Sequence, residues 1–110
     1  MKIIMPCETV TRYILPALRV SISKKLFEKF KFNQSNIANI LGVTQPVISK
    51  YLSENYDEKI KLILKNERLD RIALEITESI INKNINNEEI TGILLKTSSE
   101  FVDGYEYLID

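Results

Sequence analysis

The sequence predicts an all-α protein with a helix-turn-helix near its centre and a C-terminal helical extension. Three observations predict it. Apolar residues recur at three- and four-residue spacing along most of the 110 residues, while glycine and proline number only three each, too few for a chain of hairpins. Asn33 to Leu52 holds two short apolar-periodic runs separated by a single glycine. A residue able to cap a helix precedes each run, Asn33 the first and Thr44 the second.

The first long segment, Glu8 to Lys31, sets Ile14, Leu18, Ile22 and Leu26 four apart. Ala17 and Phe30 broaden that face, so the segment should cover the helix-turn-helix. Pro16 interrupts it. Either a continuous helix kinks there, or a short leading helix ends near Ile14 and a new one starts with Pro16 in its first turn. Counting from Gln34, Ile37, Ala38, Leu41, Val43, Ile48 and Tyr51 fall where two short helices crossing steeply must touch. Ala38 is small because the second helix passes over it, and Gly42, in the ninth place, lets the chain leave the first helix through a left-handed conformation. Pro46 falls in the first turn of the second helix, where a missing N–H costs little.

Tyr56 to Leu64 is ambiguous. Ile60, Leu62 and Leu64 alternate, whereas Ile63 and the flanking Lys and Glu residues suit the helix favoured here. From Asn66, a plausible cap, to Asn82, the stripe Leu69, Ile72, Ala73, Ile76 and Ile80 predicts an amphipathic helix. A polar turn follows, and Asn87 is placed to cap a last helix that begins Glu88-Glu89 and runs to about Phe101. Ile90, Ile93, Leu94 and Phe101 are expected inside, and the apolar tail from Tyr105 to Ile109 is expected to pack on the body or on a partner subunit.

With Val47, Ile48, Tyr51 and Leu52 turned inward, the second helix displays Gln45, Pro46, Ser49 and Lys50. These are groove-reading residue types. Glutamine can bond an adenine edge, serine can donate or accept, lysine can reach guanine or phosphate, and proline can touch a thymine methyl. Gln34 and Ser35 open the first helix, and Thr44 the second, where orphan N–H groups suit a phosphate. The charge distribution agrees, although 15 bases balance 15 acids overall. Residues 1–53 hold eight bases against two acids, a balance of +6, and residues 54–110 hold seven against thirteen, a balance of −6. Lys24 and Lys25 in the basic half are candidate phosphate contacts.

Composition narrows the function classes. Hydrophobic and charged contents of 45% and 27% are ordinary for a globular domain. The apolar runs are short, so a cytoplasmic protein without a membrane segment is expected. The chain has no histidine and one cysteine, Cys7, which removes an imidazole base, a histidine metal ligand and an intrachain disulfide. No phosphate-binding glycine loop is present, and Glu88-Glu89 and Asp57-Glu58 read as solvated helix starts. No enzyme, cofactor or metal is expected.

Pro6-Cys7-Glu8, Tyr13-Ile14-Leu15-Pro16-Ala17-Leu18-Arg19, Gln34, Ile37-Ala38 and Leu41 through Leu52 together resemble a family of archaeal transcriptional regulators with a phage-repressor-type helix-turn-helix. The resemblance covers roughly the first half. It implies a sequence-specific DNA-binding domain that pairs on palindromic operators, with Gln34 and Gln45 at the places where glutamines hold phosphate and read adenine. The chain departs from the family after the second helix, where Ser53-Glu54-Asn55-Tyr56 replaces an expected Ser-Gly-Lys-Arg and makes the loop acidic. Some relatives continue into a thiamine phosphate synthase domain or carry further cysteines; neither stands in these 110 residues, so no enzyme and no metal are expected.

The expectation is therefore a helix-turn-helix DNA-binding domain over residues 1–55 and a helical dimerisation or interaction extension over 56–110. The protein is expected to act as a homodimeric, sequence-specific transcriptional regulator on double-stranded DNA. The alternative is a helical protein-interaction adaptor whose acidic C-terminal half does the binding, with no specific affinity for DNA.

Overall fold

The computed structural model describes residues 10–83 and 85–101. Among them, six α-helices follow a π-helical turn, Val10–Ile14, and no strand occurs. The helices are α1 (Leu15–Glu28), α2 (Gln34–Leu41), α3 (Gln45–Leu52), α4 (Glu58–Leu64), α5 (Glu67–Lys83) and α6 (Asn87–Glu100). None of these is long and apolar enough to cross a membrane. Cys7, Glu8 and the tail from Tyr105 to Ile109 lie outside the described residues.

Helix α1 organises the packing because it touches every other helix. The expected stripe Ile14, Leu18, Ile22 and Leu26 is fully buried, but so are Val20 and Ser23 on the opposite side. A helix packed by five others on most sides keeps only a narrow solvent face, around Phe27 and Glu28, to write into its sequence. Phe30, expected to broaden the stripe, follows the helix and is half-buried. Pro16 lies in the first turn of α1, as in the second of the two expected arrangements, but no break separates it from what precedes. Ile14 keeps right-handed helical angles (φ −75°, ψ −46°), and the chain widens into the π-helical turn. That widening accommodates the proline ring and its missing donor without ending the helical path.

The ambiguous segment is helical. Ile60 and Ile63 are buried while Leu62 is 40% exposed, which is a three-residue rather than a two-residue period. Asp57 caps α4 by accepting from the Lys59 N–H at 2.7 Å. Asn66 caps α5 in the same way, accepting from Leu69 N–H at 3.1 Å. Leu69, Ala73, Ile76 and Ile80 are buried along α5 and Ile72 half-buried, and buried Thr77 satisfies its hydroxyl by donating to the Ala73 carbonyl at 2.7 Å.

At α6 the structure corrects two expectations. Asn86 rather than Asn87 is the cap: its side chain accepts from Glu89 N–H at 2.8 Å while the Glu89 carboxylate accepts from Asn86 N–H at 3.4 Å, a reciprocal capping box. The buried stripe is Ile90, Leu94, Thr97, Ser98 and Phe101, and Ile93 stands at its edge, 36% exposed. Small Thr97 and Ser98 occupy the inner face because α6 lies close against α1 and α2.

Candidate nucleic-acid interface

Helices α2 and α3 are each eight residues long and are joined through Gly42, Val43 and Thr44. Asn33 caps α2, its side chain accepting from Asn36 N–H at 2.8 Å. Gly42 adopts the left-handed conformation expected of it, with φ 69° and ψ 33°. Val43 N–H then reaches back to the Ala38 carbonyl at 3.1 Å, closing a six-residue turn on the end of α2. Thr44 has the extended backbone of a cap (φ −84°, ψ 158°), but its hydroxyl makes no capping bond. Its carbonyl serves instead, accepting from Val47 N–H at 3.1 Å and Ile48 N–H at 3.3 Å. Pro46, without an N–H, needs no acceptor.

The packing that holds α3 matches the expected contact positions. Ile37, Ala38, Leu41 and Ile48 are buried, and Val43, Val47, Tyr51 and Leu52 are half-buried. Burial raises the Tyr51 pKa above its ordinary 10.0, and the charge and hydrogen-bonding capacity of Arg19 on α1 oppose that rise. With its inner side so anchored, α3 presents Gln45, Pro46, Ser49 and Lys50 to solvent on one arc, without an acid among them. Ser53 continues this arc. Its hydroxyl is engaged, donating to the carbonyls of Ser49 at 2.9 Å and Lys50 at 3.3 Å.

Gln34 is half-buried and Ser35 exposed at the start of α2, where first-turn N–H groups have no intrahelical acceptor. The two lysines of α1 sit differently. Lys25 is committed to the body: its ammonium donates to Asp70 of α5 at 2.6 Å and to Ser21 at 3.2 Å, with its side chain 13% exposed. Lys24 reaches the loop after α3, lying 3.7 Å from a Glu54 carboxylate oxygen and 3.4 Å from the Tyr56 hydroxyl.

Glu54 has φ 60°, the left-handed region that glycine favours. Asn55 N–H bonds the Lys50 carbonyl at 2.9 Å and Glu54 N–H the Tyr51 carbonyl at 3.3 Å, which is the hydrogen-bond pattern of a glycine-type helix end. Here a glutamate, which carries a Cβ, adopts that geometry. Glu54→Gly should therefore stabilise the protein by about 1 kcal/mol, because the 3.7 Å pair with Lys24 is exposed and contributes little. A higher urea midpoint at unchanged slope is the expected result. A lower midpoint would mean that the ion pair outweighs the backbone strain.

Asn87 has a role that no local pattern announces. It is the first residue of α6, and its side-chain amide donates to the α2 carbonyls of Asn39 at 3.0 Å and Ile40 at 3.4 Å. It thus holds the C-terminal end of α2 across 48 positions of sequence. No protein family, characterised protein or solved structure matches this chain.

Proposed function

We propose that this chain is a sequence-specific DNA-binding regulator of transcription that acts as a homodimer on a palindromic operator. Two copies of α3 would enter successive major grooves about 34 Å apart. The observation that carries the reading is the solvent face of α3, where Gln45, Pro46, Ser49 and Lys50 stand exposed and acid-free on a helix whose other side is anchored in the core. The resemblance of the segments between Pro6 and Leu52 to archaeal phage-repressor-type regulators supports it. In this arrangement Gln45 and Ser49 read base edges, Lys50 reaches guanine or phosphate, and Pro46 meets a thymine methyl. Gln34, Ser35 and Thr44 lie at the helix starts, where free N–H groups can donate to a phosphate oxygen. Lys24 can join them by releasing exposed Glu54, whereas Lys25 serves to hold α5 on α1.

Selection from a randomised duplex library at about 0.1 M salt tests the proposal. An enriched palindrome supports it. Absence of both enrichment and salt-sensitive binding overturns it and leaves an interaction adaptor, for which the exposed Ile93 and Leu95 would be the working surface. On the selected site, Gln45→Ala should cost about 1–3 kcal/mol and leave binding to random duplex nearly unchanged. Equal losses on both would remove Gln45 from base reading.

A further inference from the structure

Ile93 and Leu95 are 36% and 45% exposed on α6, large apolar side chains left open by a helix whose opposite side is buried. They do not lie side by side. At about 100° per residue they flank the exposed face on its two edges, with Gly92 between them. Gly92 is exposed, and a Cβ placed there would meet nothing within 4 Å. Glycine in mid-helix is unfavourable relative to alanine. Its presence on an open surface therefore has no explanation within this subunit.

We infer that α6 is the seam of a two-fold dimer, with a second copy of this chain packing antiparallel on it and the axis passing at Gly92. The charges identify the occupant. Glu88 and Lys96 each lie four positions from Gly92, and neither has an ion-pair partner among the described residues. An antiparallel pair centred on Gly92 sets Glu88 against Lys96 of the partner subunit, and the two-fold repeats that contact. Missing side chains at the axis let the two backbones approach, and Ile93 and Leu95 then straddle the crossing helix from either side. A parallel arrangement would place Glu88 beside its own copy. The inference rests on the dimeric part of the proposed function and names the face that serves it.

The test is the oligomeric state of the full chain, read by sedimentation equilibrium in the micromolar range at about 0.1 M salt without DNA. The wild type is expected to be a dimer. Lys96→Glu and Glu88→Lys alone should each weaken it roughly tenfold or more, since each variant replaces two attractions with two repulsions. The double variant Glu88→Lys/Lys96→Glu should recover the wild-type constant. Both substitutions are at exposed sites, and unchanged circular dichroism will confirm folding. A monomeric wild type, or a dimer indifferent to both single variants, overturns the inference. A charge-sensitive dimer that binds no duplex would overturn the DNA reading alone, whereas a palindrome bound by a charge-insensitive dimer would overturn only this seam.

Discussion

Replacing Leu18 by alanine is expected to lower the stability of the whole chain by about 2–5 kcal/mol, the range for emptying a fully buried leucine site. Leu18 has no exposed surface and sits on α1, which contacts all five other helices. Collapse of neighbours into the cavity is restricted, because α1 is enclosed on most sides and any shift that fills one gap opens another. Small domains are stable by only about 5–15 kcal/mol, so the variant should lose a large share of the total. Buried residues from both halves of the chain, Leu18 and Ile48 as well as Ala73 and Leu94, belong to one continuous cluster. Unfolding should therefore remain a single transition, with far-ultraviolet circular dichroism and tyrosine fluorescence moving together and the urea slope unchanged. Helicity that persists after the tyrosine signal has changed would show that some helices survive without the packing around α1.

Gly42→Ala is expected to cost about 2–3 kcal/mol, from two sources that can be separated. A residue with a Cβ at φ 69° meets a left-handed penalty of about 1–2 kcal/mol. The added carbon would also lie 2.7 Å from the Asn87 amide nitrogen and 2.8 Å from its oxygen. Asn87 can swing away, but only by giving up its bonds to the Asn39 and Ile40 carbonyls, worth about 1 kcal/mol together with their desolvation. In an Asn87→Ala background that second part is already lost, so Gly42→Ala should cost only the backbone penalty. The double-mutant cycle should show a coupling of about 1 kcal/mol. Strict additivity would mean that Asn87 yields without loss, and that the turn depends on backbone geometry alone. Because the turn sets the angle at which α3 leaves α2, the same variant is expected to weaken cognate duplex binding.

Local chemistry was readable in the chain wherever its cause lies within a few residues. The caps at Asn33 and Asn66, the left-handed Gly42, the amphipathic stripe of α5 and the outward position of Gln45, Pro46, Ser49 and Lys50 all follow from spacing and residue type. Even the last cap missed by one residue only, since three asparagines at 84, 86 and 87 offer the same side chain and the partner Glu89 selects Asn86. The lysines were not readable in this way. Lys24 and Lys25 are adjacent in a basic helix, yet Lys25 is bound under Asp70, 45 positions away, and Lys24 faces the Glu54 loop.

By itself the sequence determined that this protein is helical, where α2, α3 and α5 begin, and which residues of α3 meet solvent. Those outcomes depend on hydrogen bonds and side-chain periods that close within one or two turns. Only the tertiary structure decided that α1 is enclosed on most sides, that Asn87 holds the end of α2, that Lys25 belongs to the core's edge, and that Gly92 lies open between Ile93 and Leu95. Each of these depends on which helix lies against which. No local period records that choice, because it is made by summing contacts between segments far apart in the chain.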